Sequence, residues 1–173
     1  FTNSLSATDQ QWLTRQSFTA KAGQVAWLEN GDGALGKADA DSLATLGHMP
    51  YTLPEGVYRL AEATTFIALL GWGLGSYSFS RYKAAERGPA QLILPESADA
   101  AELVNTVAAT YLTRDLINTP AQDMAPSHLQ AEVEALATTF EASVSTVVGD
   151  ELLDLECGAI HAVGRAADDA PRL

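Results

Sequence analysis

The sequence is poor in the residues that most often carry chemistry. It has one cysteine, Cys157, so no internal disulfide can form. A single thiol fits a reducing compartment. It has three histidines, His48, His128 and His161, spread so widely that no zinc-ligand spacing arises. Basic residues are scarce as well: ten Lys plus Arg stand against 22 Asp plus Glu, for a net charge of -12. Phosphate backbones repel such a surface, which excludes nucleic acid as the main partner. The one tight basic group is Arg81, Lys83 and Arg87, read as a solvated helix end. Long apolar runs are missing: the longest, Phe66 to Leu74, is far too short to cross a bilayer, so no membrane role is expected. The N-terminal FTNSLSATDQQ lacks the charged-then-apolar order of a secretory signal, and its first residue, Phe1, fits a trimmed start.

What is present is a globular composition. Hydrophobic residues make up 47% of 173, enough to build a core and too many for a disordered chain. Thr8 and Gln11 have capping-box spacing and open a short helix. Gln24 to Glu29 reads as a strand, followed by turn chemistry at Asn30-Gly31-Asp32-Gly33. Ala34 to Pro54 is weakly patterned and predicts loop. Leu53 to Leu60 predicts a turn and a short strand, residues 64–82 a helix, and Gln91 to Leu94 a buried strand ended by Pro95. Ser97 is positioned to cap a long helix, about Ala98 to Ile117. Its apolar face holds Leu103, Val104, Val107, Ala108, Tyr111 and Leu112. Asn118-Thr119-Pro120 cuts that helix. Ser127 and Gln130 form a second capping box, opening a helix to Phe140. A strand at Ser143 to Val148, a short helix from Asp150 to Leu155 and a strand at Ile160 to Val163 follow. Alternating helices and strands argue for an α/β fold.

Tested for chemistry, the constellations fail one by one. Gly71-x-Gly73-x-Gly75 lacks the preceding strand of a dinucleotide-binding loop and has Ser76 at the sixth position; close helix packing explains it better. His128 is expected exposed in a first helical turn, and His161 satisfied within a strand. Ser127-His128 are only sequence neighbours, without a third group to orient a base. Asp32, Asp39 and Asp41 lack calcium-loop spacing. Asp168-Asp169 reads as a solvated loop. Glu156 beside Cys157 would raise its pKa, the wrong direction for a nucleophile.

One stretch is distinctive. TRDLINTPAQDMAPSHL from Thr113, then VVGDELL, then AIHAVGRAADDAPRL ending at Leu173, closely resembles the entry into the catalytic domain of the leucyl (cytosol) aminopeptidase family. LPEGVYRL and LGWGLGSYSFSRYK resemble the shorter N-terminal domains of bacterial members. Gln122 stands where Asn is usual, and Ala167 where Ser is usual. The resemblance implies a small N-terminal α/β domain with a mixed sheet over residues 1–96. It also implies a linker helix over 97–117 and, over 118–173, the first helix–strand units of an α/β/α catalytic domain. It further implies a cytoplasmic homo-hexamer that removes N-terminal residues from peptides. Two divalent metals (zinc, manganese or magnesium) would activate a water and polarise the scissile carbonyl. In that family Asp, Glu and Lys hold the metals, from motifs of the form Asp-Thr-Gly-Gly-x-x-x-Lys and Asn-Thr-Asp-Ala-Glu-Gly-Arg. Neither motif occurs in residues 1–173, and Pro120 replaces the metal-binding Asp of the second in the partial match at Asn118-Thr119. No catalytic, cofactor-binding or metal residue is therefore assigned here. The chain is expected to be inactive alone, as the front part of the peptidase. The alternative is a free-standing α/β binding or assembly module without catalysis. The coding sequence after Leu173 distinguishes the two.

Overall fold

A computed structural model describes residues 5–36, 42–96 and 98–173. The chain divides into two units, Phe1–Leu112 and Thr113–Leu173.

The first unit begins with α1 (Ala7–Arg15). Its cap is Ser6, whose hydroxyl oxygen accepts from the Asp9 amide at 3.1 Å. The helix thus starts ahead of the predicted Thr8–Gln11 box, because Ser6-x-x-Asp9 offers the same chemistry two residues earlier. Strand β1 (Val25–Trp27) pairs antiparallel with β2 (Gly33–Leu35), joined through the Asn30–Asp32 turn. Leu13 of α1 covers Ala26 and Ala34, with Phe18 and Leu28 alongside. The predicted loop from Ala34 holds β2, α2 (Ala44–Gly47) and α3 (Met49–Thr52). Gly-Ala-Leu has weak strand preference and pairs because β1 lies beside it. The two four-residue helices are too short to show a period and are held by packing of Leu46 and Met49.

Strand β3 (Val57–Tyr58) pairs parallel with β4 (Gln91–Leu92). The expected α/β class stands, with its strands in two separate two-stranded sheets, one antiparallel and one parallel, instead of one mixed sheet. Strand β4 is not buried as predicted: Gln91 is exposed and Leu92 half-buried, since among the described residues no third strand joins the pair.

Helix α4 (Phe66–Gly75) supplies the centre of the core. Ala68 and Trp72 pack with Leu46, Met49, Leu53 and Ala90. Thr65 caps it, and Ser76 closes it by donating to the Trp72 carbonyl at 2.9 Å. It ends before the predicted position 82, so Arg81, Lys83 and Arg87 lie in the following loop, not at a helix end. Arg87 there donates to the Leu53 carbonyl at 2.8 Å and to the Tyr51 carbonyl, tying the loop to the end of α3.

The three glycines of α4 allow close approach. A Cβ on Gly71 would lie 2.1 Å from the Leu43 carbonyl oxygen, and one on Gly75 1.8 Å from that of Gly47. One on Gly73, on the opposite side, would meet Val107 at 2.5 Å. Backbone therefore sits on backbone along α2, which only glycine permits. The packing explanation of the glycine run is the one the structure supports.

Helix α5 (Ala100–Asn118) contains the boundary between the units. Ser97 lies outside the described residues. Asp99 caps the helix, its carboxylate accepting from the Glu102 amide at 3.0 Å. Of the predicted apolar face, Leu103 is buried and Val107, Tyr111 and Leu112 are half-buried. Val104 and Ala108 are exposed. Tyr111 donates to the Gly73 carbonyl at 2.5 Å. Thr119 turns back onto the Asp115 carbonyl where Pro120 ends the helix.

In the second unit α6 (Pro126–Thr139) starts from Ala125, with Pro126 at its first position. The fixed φ of proline places the start there and leaves Ser127 inside the first turn, so Ser127 is not the cap that was predicted. His128 Nδ1 accepts from the Ala125 amide at 3.1 Å instead, and the His128 side chain is exposed. The predicted strand over Ser143–Val148 reduces to an isolated antiparallel bridge, Val148 to Arg172. Helix α7 (Glu151–Asp154) follows Asp150, whose carboxylate makes no cap bond. The predicted strand at Ile160–Val163 is a helix, α8 (Gly158–Gly164). A short apolar run fits either state, and here local i→i−4 bonding such as Arg165 N–H to the His161 carbonyl decides.

Candidate functional site

The second unit carries an open apolar groove of about 830 Å³. One wall is the α6 stripe Leu129 and Val133; the other is Ile160 and Val163 of α8. Val144 and Pro171 also line it. The α6 stripe extends to Leu136, with spacing of four and then three residues, and it faces outward: Leu129 is 48% exposed and Val133 43%. Val163 is 87% exposed. The sequence reading identified this helix but not its outward stripe; the spacing was the signal that could have found it.

A polar knot fixes one lip of the groove. Arg172 donates from Nη1 to Gln130 at 2.7 Å and from Nη2 to Asp169 at 2.7 Å. The other Asp169 oxygen accepts from the Ser127 amide in the first turn of α6, also at 2.7 Å. A carboxylate from a distant loop thus supplies the charge that a helix N-terminus favours. The Arg172 guanidinium and then the Ser127 amide hold the Asp169 carboxyl far below its usual 3.8. Asp169 is therefore an anchor and not the solvated loop residue expected from sequence. Arg172 Nε is buried without a partner.

The remaining candidates fall where they do structural work. His161 Nε2 donates to Asp150 at 3.0 Å, tying α8 to the start of α7; it is satisfied as expected, from a helix and not from a strand. His48 Nε2 donates to the Gly23 carbonyl at 3.0 Å. Cys157 sits at the start of α8 with its sulfur 3.5 Å from the Leu155 carbonyl. Asp32 closes its turn with Asn30. Asp39 and Asp41 lie outside the described residues. Among the described residues no three His, Cys, Asp or Glu side chains converge on one point. Asp169 and Asp150 are engaged by Arg172 and His161. The described residues therefore offer no ligand set for a divalent metal. The groove can hold apolar surface; its lining carries hydroxyls at Ser145 and Thr146 but no acid or base to activate them.

An α/β unit built around a glycine-bearing helix, followed by a smaller unit with an outward apolar groove, defines a two-part α/β chain. Residues 1–95 match the M17 aminopeptidase N-terminal domain, and residues 111–173 match the catalytic domain of the cytosol aminopeptidase family. The chain belongs to the M17 cytosol aminopeptidase family. It is 31% identical over 150 residues to the cytosol aminopeptidase of Pseudomonas aeruginosa. That match covers 80% of this chain and 29% of the relative. A probable cytosol aminopeptidase of Clostridium perfringens is 28% identical, with 69% and 27% covered. Among solved structures, cytosol aminopeptidase from Coxiella burnetii superposes with a TM-score of 0.88 at 34% identity, over 98% of this chain and 39% of that one. The bottromycin maturation enzyme BotP in complex with Mn shares the fold, with a TM-score of 0.73 at 24% identity, over 98% of this chain and 41% of that one. The chain thus spans less than a third of these two curated relatives.

Proposed function

We propose that the chain is the front part of a metal-dependent leucyl-type aminopeptidase. Residues 1–96 form its N-terminal domain, residues 97–117 a linker helix, and residues 118–173 the start of its catalytic domain. The observation that carries this reading is the superposition on the Coxiella burnetii enzyme over 98% of the chain. The intact enzyme hydrolyses N-terminal residues from peptides, with two divalent cations (zinc, manganese or magnesium) activating the water. Manganese is favoured by the BotP neighbour, whose solved complex contains it. Their ligands lie outside residues 1–173, and none of this chain's residues is catalytic or metal-binding. The enzyme works in the cytoplasm as a homo-hexamer. The relatives are named for the cytosol, and among the described residues no helix is long and apolar enough to cross a membrane.

The test is direct. With manganese, the intact gene product releases p-nitroaniline from leucine p-nitroanilide, and the 173-residue chain gives only the buffer rate. Metal-dependent turnover by the 173-residue chain would overturn this account of it.

A further inference from the structure

The hairpin of the first unit carries an asparagine followed by glycine at its tip, and Asn30 and Gly31 are both exposed. At such a pair the backbone can attack the side chain before it. The Gly31 nitrogen bonds to Asn30 Cγ and loses its proton to water or hydroxide. The Cγ–Nδ2 bond breaks, Nδ2 takes a proton from water, and ammonia leaves. A five-membered succinimide remains. Water then opens one of its two carbonyl–nitrogen bonds, which leaves aspartate or isoaspartate at position 30. Glycine favours the closure because it has no Cβ to crowd the ring. The other asparagines are less exposed to this attack by sequence: Asn3 precedes Ser4, Asn105 precedes Thr106 and Asn118 precedes Thr119.

The folded turn keeps the two reacting groups engaged elsewhere. Asn30 Nδ2 donates to Asp32 Oδ2 at 2.9 Å, and Asn30 Oδ1 accepts from the Asp32 amide, also at 2.9 Å. The side chain is thus turned toward residue 32. The Gly31 amide donates to the Leu28 carbonyl at 3.0 Å, so its proton is held as well. The Asp32 carboxylate beside it opposes the loss of that proton, since like charges repel. All of these bonds lie within one exposed turn, so a local opening of the tip releases them together.

We infer that Asn30 is a deamidation site gated by its own turn, held shut by Asp32 and opened when the hairpin tip frays. The product does not let the turn close as before. Aspartate at position 30 sets a carboxylate against that of Asp32, where Nδ2 and Oδ2 now share a hydrogen bond. Isoaspartate adds a methylene to the main chain between the Leu28 amide and the Asp32 carbonyl that it bonds at 2.7 Å. Either change loosens β1 and β2, and with them the cluster of Leu13, Ala26 and Ala34. This inference is independent of the proposed function.

The experiment holds the chain at mildly alkaline pH and follows each asparagine by peptide mapping, with mass for deamidation and an isoaspartate assay for the linkage. Three samples are compared: the folded parent, the parent in urea and folded Asp32→Ala. In urea Asn30 converts well ahead of Asn105 and Asn118. Folding slows Asn30 by at least about tenfold, because reaction waits for the tip to open. Asp32→Ala, with unchanged circular dichroism, speeds the folded chain by about fivefold, the factor set by one ordinary hydrogen bond. If Asp32→Ala alters the fold, the ratio between folded and unfolded parent still decides whether the turn is a gate. Asn30→Asp lowers the urea midpoint of the first unit, read through Trp12, Trp27 and Trp72. Asn30 that stays intact in urea, or isoaspartate formed at position 32 in its place, overturns the site. Equal rates for folded and unfolded parent overturn the gate, and a folded Asp32→Ala that reacts at the parent rate overturns the part given to Asp32. An unchanged midpoint for Asn30→Asp overturns the loosening of the hairpin.

Discussion

The two units treat their apolar residues in opposite ways. The first buries Leu46, Met49, Ala68, Leu69 and Trp72 around α4 and closes its packing with backbone against backbone at Gly71 and Gly75. The second buries Leu152 and Pro171 but leaves Leu129, Val133, Leu136, Phe140, Ile160 and Val163 outward. A fully buried large aliphatic side chain contributes roughly 1.5–3 kcal/mol, so the first unit has several such contributions and the second very few. The first therefore has a core of its own, and the second leaves most of its large apolar side chains at the surface. Family membership alone would not have shown this asymmetry.

The largest expected effect lies in the first unit. Gly75→Ala forces a methyl group to within 1.8 Å of the Gly47 carbonyl oxygen, and neither backbone can step aside cheaply. We expect a loss of about 3 kcal/mol, or roughly 12 °C or more in the melting temperature of that unit. Gly73→Ala meets a Val107 methyl at 2.5 Å, which can rotate away, and the loss is about 1 kcal/mol. Thermal unfolding of both variants checks the order. Equal effects would show that α2 and α4 are not in backbone contact.

A smaller effect separates the units by pH. Asp169 has a lowered folded-state pKa, so its contribution is complete above the ordinary value of 3.8 and drains away as pH falls below it. Urea midpoints of the second unit, compared between the parent chain and Asp169→Asn, should differ at pH 6 by a margin that begins to narrow only below pH 3.8 and keeps narrowing as acidification proceeds toward the lowered folded-state pKa. A difference that stays constant would mean that the Asp169–Arg172 pair does not hold the lip of the groove. The first unit, followed through Trp72, should not respond to this substitution.

Much of this was legible in the sequence, and the failures have a common cause. The Asn30–Asp32 turn, the interruption at Pro120 and helices α5 and α6 announce themselves through local chemistry and period. The resemblance from Thr113 to Leu173 identified the family before any coordinate. Strand β2 and helices α2 and α3 did not show, because four residues or fewer carry no period and their neighbours decide their state. Helix α8 was taken for a strand because Ile160 to Val163 is an apolar run that either state accepts. The caps were misplaced by two residues where competing start signals, Ser6 and Pro126, stood nearby. The anchor role of Asp169 was hidden because its partner Ser127 is 42 residues away, and no spacing rule connects them.

The central claim is that one unit closes its own core and the other does not. Native-state hydrogen exchange on the 173-residue chain tests it most directly. The account predicts that amides of Leu69 and Trp72 in α4 exchange at least about a hundredfold more slowly than those of Val133 in α6 and Val163 in α8, after correction for intrinsic rates. Equal protection across α4, α6 and α8 would contradict it.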